Sequence, residues 1–224
     1  MKLYNAIVKP HLTYNAAASA YTGIQVEALD RLHRKQLRRL LNVYYPEHIS
    51  NADVYARTGA HPIVIDIAKM RWQFLGHVLR QPLETPANRI MRNYFIRREL
   101  TGGPLRKASN RSLTLTTVPR LLQKDLATLS KYDRLNYFGK ENMTLSKGDE
   151  LNTLREKAQN RRNWRIAVEK IKAAAESKWK RKERERLARK AETEAEAART
   201  RSRAQADTDR PRTRSHTTLR ETGI

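Results

Sequence analysis

The chain has 224 residues, of which 39% are hydrophobic, a low share for a fully packed chain of this length. Lys and Arg total 46 against 23 acidic residues, a formal charge of +23 that exceeds what solubility requires and makes nucleic acid the default partner. The absence of Cys excludes disulfides, thiolate nucleophiles and Cys-based zinc or iron-sulfur sites, and no apolar run approaches the roughly 18 residues needed to span a bilayer.

Net charge is +8 over residues 1–100, +4 over 101–150 and +11 over 151–224. Large apolar residues thin out abruptly: after Ser177 only Trp179, Leu187, Leu219 and Ile224 remain. Such a tail cannot build a core.

The first 21 residues carry a short apolar stretch that Pro10, His11 and Tyr14 interrupt before a secretory signal could form. They read as an interior helix, and the chain as not secreted, with nucleus and cytoplasm both open. Thr22 followed by Gln25 is a capping box that starts a helix over 24–43. At 100° per residue, Val26, Leu29, Leu32, Leu37, Leu40 and Leu41 fall on one side, with Arg31, Arg34, Lys35, Arg38 and Arg39 opposite.

Ser50 with Asp53 caps a short helix that stops at Gly59, and Pro62 takes the first-turn position of the next. That helix, 63–80, is expected to bury Ile63, Ile67, Met70, Phe74 and Val78, with Pro82 ending it. A helix over 87–100 runs up to the Thr101-Gly102-Gly103-Pro104 break, and the Ser/Thr-rich 109–117 reads equally as loop or short strand. Pro119 opens a helix to about Ser130, and turns follow between Gly139 and Gly148.

From Asp149 to Arg210 there is neither Gly nor Pro, so nothing in the backbone stops a very long helix. Trp164, Val168, Ile171, Ala175 and Trp179 share one face, whereas Leu151, Leu154 and Ala158 form a stripe rotated by roughly 80°, which places a break near Asn160. Beyond Lys180 the pattern is polar all round, and 204–224 reads as disordered.

Catalytic motifs are missing: no phosphate-binding glycine loop, no nucleophile elbow, no H-E-x-x-H and no adjacent Asp pair of the two-metal polymerase kind. The six His, at 11, 33, 48, 61, 77 and 216, fall at no ligand spacing. The residues themselves point to no catalytic group, no metal site and no cofactor.

Binding signals are present instead. The segment Arg31 to Arg39 holds five cations and no acid, where an ordinary surface helix alternates signs; it suits a phosphate backbone. On the 63–80 helix Lys69 and Arg80 add charge, and Arg71 stands amid apolar positions, where it either snorkels, meets a buried acid or reaches a phosphate. Arg161, Arg162 and Arg165 surround Trp164, a pairing of cation and ring found on nucleic-acid surfaces, although Trp164 equally fits the apolar stripe.

Several blocks follow one another in a familiar order: Leu3-Tyr4-x-x-Ile7-Val8-x-Pro10-x-Leu12-x-Tyr14, Leu29-x-x-Leu32-His33-x-x-x-Leu37-Arg38-x-Leu40-Leu41, Ile49-Ser50-Asn51-x-x-Val54 and Arg71-Trp72-x-x-Leu75-Gly76-His77-Val78-Leu79-Arg80. Over roughly residues 1–175 the chain resembles the region downstream of the polymerase palm in non-LTR retrotransposon endonuclease-reverse transcriptases of the RTE-like or jockey-like kind. Asn160-Arg161-Arg162-x-Trp164-Arg165 is similar to that family's A-x-D-R-x-x-W-R stretch, with Asn for the acid.

The residues read as a mainly α fold in which a long basic helix and a disordered basic tail follow a helical bundle, and the resemblance makes that bundle thumb-like: thumb-like helices over 1–45, a helical Gly-His-Val-Leu-Arg region over 46–104, a loop-rich connector over 105–148, a helical segment over 149–179 and a charged helix with a disordered basic tail over 180–224. It implies a non-catalytic C-terminal piece, without the palm aspartates or the endonuclease, that binds RNA, DNA or a hybrid and docks on a polymerase palm. Two other readings stay open: an unrelated sequence-nonspecific nucleic-acid-binding protein, and a helical assembly protein that pairs through 149–200.

Overall fold

The computed structural model describes residues 1–100, 117–143, 145 and 148–208. The fold is mainly α, with no strand among the described residues. By compactness the chain divides into two units, Met1–Lys180 and Arg181–Ile224.

A π-helical turn, Tyr4–Val8, leads into α1, Lys9–Leu12. Helix α2 spans Gly23–Leu40 and begins with the full capping box: the Thr22 hydroxyl accepts the Gln25 N–H, and the Gln25 side chain accepts the Thr22 N–H at 2.9 Å. Helix α3, Asn51–Thr58, starts on the Ser50 hydroxyl and ends at Gly59, whose φ of 64° lies in the left-handed region. Helix α4, Ile63–Arg80, has Pro62 at its N-cap, one place earlier than the sequence suggests. Helix α5 spans Pro86–Leu100.

The stretch expected as a loop-rich connector holds two helices in its described part: α6, Val118–Leu126, and α7, Lys131–Phe138. Ser130, expected as the end of one helix, caps the next, because its hydroxyl accepts the Asp133 N–H at 3.1 Å. Apart from Thr117, the 109–117 question lies outside the described residues. Helices α8, Gly148–Gln159, and α9, Arg161–Thr208, are separated at Asn160. The Asn160 side-chain oxygen accepts the Asn163 N–H at 3.0 Å, so the break is a fresh helix start where the apolar stripe changes bearing. Residues 204–208, read as disordered, continue α9; 209–224 lie outside the described residues.

Helix α4 lies at the centre of the first unit and packs against α2, α5, α6 and α8. It therefore buries more than one face, as a helix surrounded by others must. Trp72, Leu75 and Leu79 are buried where the single-face reading had put Met70 and Phe74, and Phe74 is instead 38% exposed. The largest core joins these three to Phe95, Leu122, Leu126, Phe138, Leu151, Leu154, Trp164, Val168 and Ile171. A second cluster holds Tyr4, Leu37, Val54 and Tyr55 with Trp179 packed against it, and a third holds Ala16, Ile63 and Ile67.

In the second unit residues 181–208 are helical, and all of 181–202 except the half-buried Glu183 are exposed. Pairs such as Arg181 with Glu185 and Lys190 with Glu194 lie on that surface, where solvent screening leaves each one weak. No helix among the described residues is long and apolar enough to cross a membrane.

Candidate nucleic-acid interface

The buried stripe of α2 is Asp30, His33 and Leu37, with Leu32 and Leu40 at 41% and 48% exposure. Hydropathy counting mislocates it because two of its members are polar. Asp30 is satisfied from three elements: the Tyr55 hydroxyl donates to it at 2.9 Å, the Ile63 N–H at the start of α4 donates at 2.9 Å, and Arg34 pairs with it. A carboxylate at a helix N-terminus also gains from the dipole. His33 lies between the Tyr4 hydroxyl, 2.5 Å from Nδ1, and the His61 carbonyl, 3.2 Å from Nε2. The carbonyl can only accept, so Nε2 carries the proton and Nδ1 accepts from Tyr4. Burial pushes the His33 imidazole below its ordinary value, consistent with this neutral form, and pushes the Tyr4 phenol up to about 12.

This network divides the five cations. Arg34 is held by Asp30 and by Glu27, the latter at 2.7 Å, and Arg38 donates to the Asn51 side chain at 2.6 Å and to the Ile49 carbonyl at 3.3 Å. Both brace the fold, which corrects the reading of a single uniform basic face. The physical reason is position: 34 and 38 flank the buried stripe, whereas 31, 35 and 39 lie opposite it. Arg31, Lys35 and Arg39 are exposed, and none forms an ion pair among the described residues. Successive members stand about 6 Å apart along the helix axis.

On α4, Arg71 is buried at 5% exposure and donates to Asp125 at 2.7 Å; of the three readings of this residue, the buried acid is the one realised. It is not offered to a phosphate. Lys69 pairs with Glu169 at 2.6 Å. Trp164, 4% exposed, donates its indole N–H to the Trp72 carbonyl at 3.1 Å, so it is core and unavailable for base stacking. Its neighbours Arg161, Arg162 and Arg165 are exposed on the first turns of α9. Arg80 donates to the Ala158 carbonyl at 3.2 Å, and both burial and the nearby Arg161 push its guanidinium below its ordinary value. Arg155, absent from the sequence reading, donates to the Gln81 carbonyl at 3.5 Å beside this cluster. The only sequence sign for it was an Arg in the last turns of a helix.

No group of three or more His, Cys, Asp or Glu among the described residues is placed to hold a metal ion. No protein-family model matches the chain, and no curated protein or solved structure shows significant similarity to it.

Proposed function

We propose that the chain binds nucleic acid through phosphate contacts, as the thumb and post-palm region of a non-LTR retrotransposon reverse transcriptase, with no catalytic group of its own. One observation carries the reading. The only two acids of α2, Glu27 and Asp30, are both spent on Arg34, which leaves Arg31, Lys35 and Arg39 as an exposed row on a rigid rod with no ion pair to a carboxylate of their own helix. A straight row of cations can lie along a phosphate backbone and release its counterions. The exposed Arg161, Arg162 and Arg165 supply a second basic patch, and the order of the motifs from Leu3 to Arg80 supports the family.

The assembly reading loses its main support, since Trp164, Val168 and Ile171 are already buried in the chain's own core. The deciding experiment is fluorescence anisotropy of the full chain on matched single-stranded RNA, DNA duplex and RNA-DNA hybrid across a salt series. Tight binding with a steep salt slope, and preference for duplex or hybrid, is the expected result. A shallow slope or no binding overturns the proposal.

A further inference from the structure

A cavity of about 360 Å³ opens between α4, α5, α6 and the turn around residue 18. Three small residues, Ala17, Ala18 and Ala20, form one wall and leave the space, while Leu75, Val78 and Phe95 line others. The volume falls within the range of small-molecule sites, roughly 300–1,000 Å³. At the cavity lie two large apolar side chains open to solvent, Phe74 at 38% and Ile90 at 69% exposure.

Among these lining residues Arg71 alone is polar. Its Nη1 is engaged by Asp125, but its Nε–H is buried and has no hydrogen-bond partner among the described residues. Buried donors are nearly always paired. Apolar walls with one convergent polar group are what a small-molecule site presents.

We propose that this cavity binds a small uncharged molecule with an apolar ring or chain and one carbonyl oxygen, which accepts from the Arg71 Nε–H. The ligand is uncharged because Asp125 already balances the guanidinium: a carboxylate would meet a cation that is already neutralised, and a cation would face Arg71. A carbonyl fits because Arg offers donors only.

Acetophenone and ethylbenzene test this as matched probes, with the same ring and with or without the carbonyl, titrated into the full ¹⁵N-labelled chain. The Arg71 Nε–H resonance is assigned by its loss in Arg71→Lys. Acetophenone is expected to bind about fivefold tighter than ethylbenzene, the worth of one net hydrogen bond, and only acetophenone moves that resonance. Arg71→Lys should remove the preference and keep ethylbenzene binding. Ala18→Leu, or Ala17→Leu where the first lowers helicity, should abolish binding of both probes by filling the cavity. Equal affinities with a stationary Nε–H overturn the proposal. So does failure of both probes to bind, as when the cavity is filled from within the protein, and so does undiminished binding to the filled variants.

Discussion

Trp164 lies where a side chain on residue 76 would have to be. A Cβ at Gly76 would run into the indole Nε1 and stand 2.6 Å from Cε2, closer than real carbons approach. The glycine therefore lets α9 seat its indole against α4, and the indole N–H reaches the Trp72 carbonyl at that place.

Gly76→Ala gains about 1 kcal/mol of helix propensity and loses more to overpacking, for a net destabilisation of about 2 kcal/mol. For a unit of this size that lowers Tm by roughly 4–8 °C, read by circular dichroism. Trp164→Phe should cost less in the Gly76→Ala background than in the natural chain, because the two side chains compete for one space.

The two halves of the basic face are expected to separate under mutation. Changing Arg31, Lys35 and Arg39 together to Gln should leave Tm within about 1 °C, as surface changes generally do, and reduce the salt slope of nucleic-acid binding by about 2–3. Arg34→Gln should do the reverse: it strips Asp30 of its cation and lowers Tm. An unchanged slope in the triple variant would remove α2 from the binding surface.

Acid should weaken the fold in two stages. The unfolded chain protonates His33 as pH falls through about 6.5, while the folded chain, its imidazole pushed lower by burial despite Asp30, does so only further down. Unfolding then takes up a proton, so stability declines on acidification below about pH 6.5. Asp66, which burial alone would raise, is held below the ordinary carboxylate range by the His61 hydrogen bond and by Lys9 at 2.5 Å, and its contribution is lost at lower pH still. Urea midpoints at pH 7.5, 6.5 and 5.5 measure the first stage. His33→Gln should flatten the trend over that interval and lower stability at every pH.

Asp125 receives both the Arg71 guanidinium and, at 3.3 Å, the Trp72 indole N–H. Asp125→Asn leaves a buried cation without its counter-charge and should cost about 3–5 kcal/mol. The double change Arg71→Met with Asp125→Leu should recover most of that loss. A denaturation cycle on the natural chain, Arg71→Met, Asp125→Leu and the double variant gives the coupling; additive losses would show that the pair is not the source of the cost.

What could be read from the sequence was local. The capping box of Thr22 and Gln25, the Ser50 cap and the Gly59 stop each work over three or four residues, and the break at Asn160 follows from a rotated stripe. Faces were harder. Asp30 belongs to the buried side of α2 because of Tyr55 and Ile63, 25 and 33 residues away, and Arg71 is core because of Asp125, 54 residues away. A hydropathy wheel has no means of pricing partners at such separations. For the same reason Arg34 and Arg38 looked identical to Arg31 and Arg39, and only the folded neighbours tell bracing cations from free ones.

Trp164 and Trp179, both on α9, pack into different clusters, the first against Trp72 and Phe138 and the second against Tyr55. These partners are made long before the helix that covers them. At translation rates of about 5–20 residues per second, Trp72 waits roughly 5–20 s for Trp164 to be synthesised. During that interval the nascent chain presents an uncovered aromatic surface, and its closure depends on the last residues of its first unit. A chain truncated between residues 100 and 160 would therefore be a sticky intermediate, whereas one that extends past residue 180 carries every indole needed to close both clusters.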